Sequence, residues 1–176
     1  MTTASKITLI RVFIIPIMIL TMYLSGGQPG TWMWVSLAIF ILGSVTDYID
    51  GYIARKYNQV SDFGKFLDPL ADKLITIAVM AMFCEWGSFP AWALMIVLTR
   101  EFPVTGLRLV AAGKGVVIAA GWSGKVKTAS TMLGLCALMA FPQLPGLAWF
   151  LVIMICATEV YSGVEYFVKN WGCLWD

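Results

Sequence analysis

The 176 residues suffice for one domain, and 60% of them are hydrophobic against 12% charged. Soluble domains carry roughly 25% charged residues, so this chain lacks the polar residues that a water-facing surface needs, and it reads as a membrane protein. Its net charge of +2 is too small to point to nucleic acid, and the absence of histidine removes His-dependent triads and His-ligated zinc or haem sites.

The first apolar run, Ile7–Leu24, is longer than the ~7–15 residues of a cleaved signal core. It ends in the turn Ser25-Gly26-Gly27-Gln28-Pro29-Gly30. Five further apolar segments follow at Trp32–Tyr57, Phe66–Trp86, Pro90–Ala112, Lys125–Phe141 and Leu147–Lys169. Turn residues separate them at Trp86–Pro90, Gly113–Gly124 and Pro142–Gly146. Spanning helices need about 20 mainly apolar residues, so the expectation is an all-α, polytopic membrane protein with six transmembrane helices in a single domain over residues 1–176. The four cysteines, Cys84, Cys136, Cys156 and Cys173, contain no CxxC pair; three read as packing residues and Cys173 as a tail residue.

With the N-terminus placed in the cytoplasm, all 12 cations fall on or toward the inner side. They are Lys6, Arg11, Arg55, Lys56, Lys65, Lys73, Arg100, Arg108, Lys114, Lys125, Lys127 and Lys169. Cytoplasmic loops favour Lys and Arg, so both termini are expected in the cytoplasm. Most Trp and Tyr fit interfacial belts.

Acidic residues carry the functional signal. Five of the ten lie between Asp47 and Asp72. A carboxylate in a membrane segment costs about 2.5–3.5 kcal/mol on insertion scales and is usually functional. Asp47 and Asp50 are three apart and share one helix face, which Gly51 and Ala54 continue. Small residues there let a bulky ligand approach the backbone. Asp68 and Asp72 are one turn apart. Two helices joined by a short basic loop can bring the pairs together, and four carboxylates in a small space need cations. An all-oxygen ligand set suits Mg²⁺ or Mn²⁺, and two such ions could grip a diphosphate. Pro69 disfavours helical geometry at Asp68. The third helix therefore either starts at Asp68, making it a cap, or starts near Ser61 and bends at Pro69.

The pattern Asp47-x2-Asp50-Gly51-x2-Ala54-Arg55-x8-Gly64-x3-Asp68-x3-Asp72 resembles the signature of the CDP-alcohol phosphotransferase family at all eight of its positions. Three further stretches resemble the branch of that family that makes phosphatidylglycerophosphate. They are Lys65–Lys73, Thr99–Arg108 and Gly124–Thr128. Thr8 and Arg11 match an Asn-x2-Thr-x2-Arg element of that branch, with Ser5 in the Asn position. The resemblance implies a six-helix enzyme and a homodimer, and with the charge placement the expectation is an inner-membrane protein whose site faces the cytoplasm. It implies transfer of a phosphatidyl group from CDP-diacylglycerol to sn-glycerol 3-phosphate. By the same resemblance Asp47, Asp50, Asp68 and Asp72 bind metal, with Asp72 also the general base. Thr8, Gly51, Ala54, Arg55 and Gly64 hold the CDP moiety.

A glycerol phosphate acceptor needs cations of its own. Arg100 and Arg108 are two helical turns apart on one face, Lys125 and Lys127 begin the fifth segment, and Thr105 lies nearby with a hydroxyl. Arg100-Glu101 sits well inside an apolar run, where paired charge suggests a site or a buried salt bridge. Glu159 and Glu165 are expected to pair with basic groups across the bundle. Other acceptors, namely serine, inositol phosphate or phosphatidylglycerol, and a cation transporter are the rival readings. Acids gathered toward one side without an internal repeat argue against the transporter.

Overall fold

A computed structural model describes residues 3–56, 62–113 and 121–170, with side chains at 13–46, 73–111 and 121–170. Six helices account for almost all of them: α1 (Thr3–Ser25), α2 (Thr31–Lys56), α3 (Asp62–Glu85), α4 (Ala91–Gly113), α5 (Trp122–Ala140) and α6 (Pro145–Asn170). No strand occurs among the described residues. Each apolar segment became one helix. The widest disagreements are at the starts of α1 and α3, which begin at Thr3 and Asp62 rather than Ile7 and Phe66. Because α3 runs through Pro69 from Asp62, Asp68 lies inside the helix and is not its cap.

Local sequence sets the ends. Gly26 and Gly27 adopt φ of 58° and 73°, values that favour glycine, and they stop α1. A Cβ on Gly27 would sit 2.8 Å from the Trp86 ring, so this turn closes directly on the end of α3. Pro145 opens α6 at a position where its missing N–H costs nothing.

Helix α1 packs on α2 and α3, α2 also on α5, and α6 on both α4 and α5. The core between them is rich in flexible apolar chains, including the fully buried Met18, Met22, Met33, Phe40, Met80, Phe83 and Leu135. Small residues allow close approach between the helices. At Gly43 a Cβ would stand 2.7 Å from Ile75 Cδ1, so α2 and α3 touch backbone to side chain. We predict that Gly43→Val lowers stability by about 1–3 kcal/mol through overpacking, read as a drop in Tm of the purified protein.

The outside of the bundle is apolar. Phe13, Leu20, Leu42, Phe102, Leu133, Phe150, Ile153 and Val168 are all exposed. By length and composition α6 can cross a membrane, with a mean hydropathy of 1.8 over its best window. The described apolar stretches of α1 and α2, Phe13–Ser25 and Thr31–Thr46, are shorter. Helices α3, α4 and α5 carry Lys73, Arg100, Glu101 and Lys127, which lowers their hydropathy although these side chains face inward.

Candidate active site

Charges meet where α3, α4, α5 and α6 converge. Glu101, only 6% exposed, is the hub. Its Oε2 lies 3.0 Å from Lys73 Nζ, and its Oε1 lies 2.6 Å from Arg100 Nη1 and 2.5 Å from Lys127 Nζ. One carboxylate thus gathers cations from three helices. Lys73 also donates to the Glu101 carbonyl oxygen at 3.2 Å.

Glu159 on α6 is a second, wholly buried carboxylate. Arg100 Nε and Lys127 Nζ each lie 3.6 Å from it, and Thr131 donates to it at 3.4 Å. Three cations therefore face two carboxylates around a cavity of about 40 Å³ that Lys73, Thr76, Glu101, Lys127, Thr131 and Glu159 help to line. Desolvated charges need close pairing, which Glu101 has, whereas Glu159 Oε2 and Arg100 Nε are buried without a hydrogen-bond partner.

The face of α4 that carries Arg100 and Arg108 packs on α6. Arg100 Nη2 donates to Ser162 Oγ at 2.7 Å, and Arg108 Nε donates to Tyr166 Oη at 3.3 Å. The Arg108 guanidinium also lies 5.2 Å from the centroid of the Tyr166 ring, within cation–π range. Gly163 makes room for Arg100, whose Cγ would stand 2.9 Å from a Cβ there. The two-turn spacing thus puts both arginines on one face, as expected.

The other expected acceptor residues separate. Lys127 points into the charge cluster, whereas Lys125 is exposed. Two residues are about 200° apart on a helix, which is why the pair divides. Thr105 donates its hydroxyl to the Glu101 carbonyl at 2.7 Å, one turn back on its own helix. Glu159 pairs across the bundle as expected; Glu165 instead pairs with Lys169 one turn along α6. Sequence reasoning counted Lys73 only as an inner-side cation and passed over Ser162 and Tyr166. The Arg100-Glu101 dipeptide was the signal for the cluster, but its partners come from three other helices.

Asp47, Asp50, Gly51, Ala54 and Arg55 belong to the C-terminal half of α2, Gly64, Asp68 and Asp72 to the N-terminal half of α3, and Ser5, Thr8 and Arg11 to the N-terminal half of α1. The placement of their side chains lies outside the described residues, as does Cys173. Cys84, Cys136 and Cys156 carry free thiols.

A six-helix bundle with charge gathered inside it and an aspartate signature spanning α2 and α3 defines a class. The chain belongs to the CDP-alcohol phosphatidyltransferase family, whose family model matches residues 1–167. It is 40% identical to the CDP-diacylglycerol–glycerol-3-phosphate 3-phosphatidyltransferase of Bacillus subtilis strain 168, over 97% of this chain and 95% of that protein. It is 38% identical to the enzyme of the same name from Escherichia coli K12, covering 91% of this chain and 90% of that protein. A probable phosphatidylglycerophosphate synthase of Mycobacterium tuberculosis H37Rv is 34% identical over 94% of this chain and 80% of that protein.

Proposed function

We propose that this chain transfers a phosphatidyl group from CDP-diacylglycerol to sn-glycerol 3-phosphate, giving phosphatidylglycerophosphate and CMP. Its likeness to enzymes named for that reaction, over nearly their whole length, supports the acceptor.

The reading of Asp47, Asp50, Asp68 and Asp72 as one metal site draws support from the contact of Gly43 with Ile75. Asp47 and Asp50 follow Gly43 by one and two turns along α2, and Asp72 and Asp68 precede Ile75 by one and two turns along α3. Both pairs therefore continue, toward the α2–α3 connection, the stripes that already touch. Four carboxylates with no nitrogen or sulfur donor among them suit a hard divalent cation. Two Mg²⁺ or Mn²⁺ ions bound there would neutralise the diphosphate and acidify the acceptor hydroxyl.

The chain's own groups do the rest. Thr8, Gly51, Ala54, Arg55 and Gly64 hold the CDP part. Asp72 takes the proton of the acceptor's 1-hydroxyl as its oxygen bonds to the phosphatidyl phosphorus; the bond to CMP breaks, and its electron pair leaves with CMP. Positioning and charge neutralisation dominate such transfers. The acceptor's phosphate is assigned to Arg100, Arg108, Lys125 and Lys127 with Thr105. Within this set Arg100 and Lys127 are held by Glu101 and Glu159 and contribute positive potential, Arg108 is held by Tyr166 on the same α4 face, and Lys125 lies apart on the exposed side of α5.

Six spans with both termini in the cytoplasm, one domain, the inner membrane and a homodimer complete the proposal. Helices of 19 to 26 residues rise about 28–39 Å, the shortest close to and the longest beyond a hydrocarbon core of about 30 Å. Their apolar outer faces suit lipid.

Release of CMP by purified protein tests the reaction. It is expected only with CDP-diacylglycerol, sn-glycerol 3-phosphate and Mg²⁺ or Mn²⁺ together, and to stop on chelation. Release with serine or inositol phosphate instead would reassign the acceptor, and release without a divalent ion would refute the metal site.

A further inference from the structure

Helix α3 is gripped along two stripes. Positions 68, 72, 75 and 79 fall on one, and positions 73, 76, 77 and 80 on another, about 120° round the helix at roughly 100° per residue. On the first stripe Ile75 and Val79 are buried in the core, and Ile75 reaches Gly43 of α2. The second lines the small cavity shared with Glu101, Lys127 and Glu159. Its polar end is Lys73, which touches Glu101 twice, at the carboxylate (3.0 Å) and at the carbonyl (3.2 Å). Lys73 directly follows Asp72.

We propose that Glu101 is a positioning residue for the aspartate site: from its own helix α4 it fixes the rotation of α3 through Lys73, and through Lys127 it ties that grip to α5. The inference rests on the functional reading above. Apolar contact alone resists a helix roll weakly, because flexible chains such as Met80 re-pack. A charge held between three cations in a buried setting has one good arrangement. At a radius of about 6 Å, a roll of about 5° moves a side chain by about 0.5 Å, the limit for a productive constellation.

Glu101→Gln keeps the shape and removes the charge. Outer-shell partners of metal ligands typically change metal affinity or activity 10–100-fold. We expect kcat to fall about tenfold and the Mn²⁺ concentration for half-maximal activity to rise by a similar factor. The rise in Tm that Mn²⁺ produces should shrink, a readout independent of turnover. Lys73→Met should give the same pattern, and the double variant should lose no more than the worse single.

A lower Tm with an unchanged Mn²⁺ response, or losses at Lys73 and Glu101 that simply add, overturns the proposal. If Glu101→Gln cannot be recovered, Lys73→Met alone decides: an intact Mn²⁺ response sinks the idea and a weakened one upholds it. A wild-type protein that releases no CMP with glycerol phosphate defeats the functional reading only, because the Mn²⁺-induced shift in Tm still compares the variants.

Discussion

Asp72→Asn is expected to lower kcat by about 10²–10⁴-fold, the usual worth of a general base. Asparagine has nearly the same shape as aspartate and can still reach a cation through its carbonyl oxygen, but it cannot take the proton that the acceptor hydroxyl must lose. Binding of CDP-diacylglycerol should therefore survive, with KM changed far less than kcat. Asp47→Ala and Asp68→Ala should behave differently, losing activity together with the Mn²⁺-induced rise in Tm, because they remove metal ligands and not a proton acceptor. A purified Asp72→Asn protein with near-normal turnover would dismiss the base assignment.

Glu159→Ala should destabilise the protein strongly. Glu159 is wholly buried, with Arg100 Nε and Lys127 Nζ each 3.6 Å away. Its removal leaves three cations, Lys73, Arg100 and Lys127, on the single carboxylate of Glu101. Breaking a buried pair typically costs 3–5 kcal/mol, mostly because the remaining charge stays desolvated. For a chain of this size that corresponds to a fall in Tm on the order of 10 °C. Glu159→Gln, which keeps an acceptor for Thr131, should cost less. The two Tm values measured side by side check the ranking, and an alanine variant as stable as the parent would mean that the cluster is not held by charge.

Asp68 and Lys127 show two limits of reading along the chain. Pro69 left open whether Asp68 caps α3 or lies within it, because a proline's local preference competes with the packing of the helix around it. The helix from Asp62 resolves that in favour of the interior. Lys125 and Lys127 looked like one phosphate-binding pair, yet only Lys127 turns inward. Helical rotation alone divides them, and this was calculable once α5 was known to include both.

The linear sequence determined the element plan and the family. Apolar runs about 20 residues long, broken by glycine and proline, mark where each helix begins and ends, since a helix pairs its backbone groups within its own segment. The signature carries its chemistry in fixed local spacing, so Asp47 to Asp72 could be recognised without coordinates. Tertiary structure alone decided the fate of Lys73, Arg100, Glu101, Lys127 and Glu159. Their meaning is a meeting of four helices, and the pairing of buried charges depends on rotations and depths that no spacing along one helix encodes.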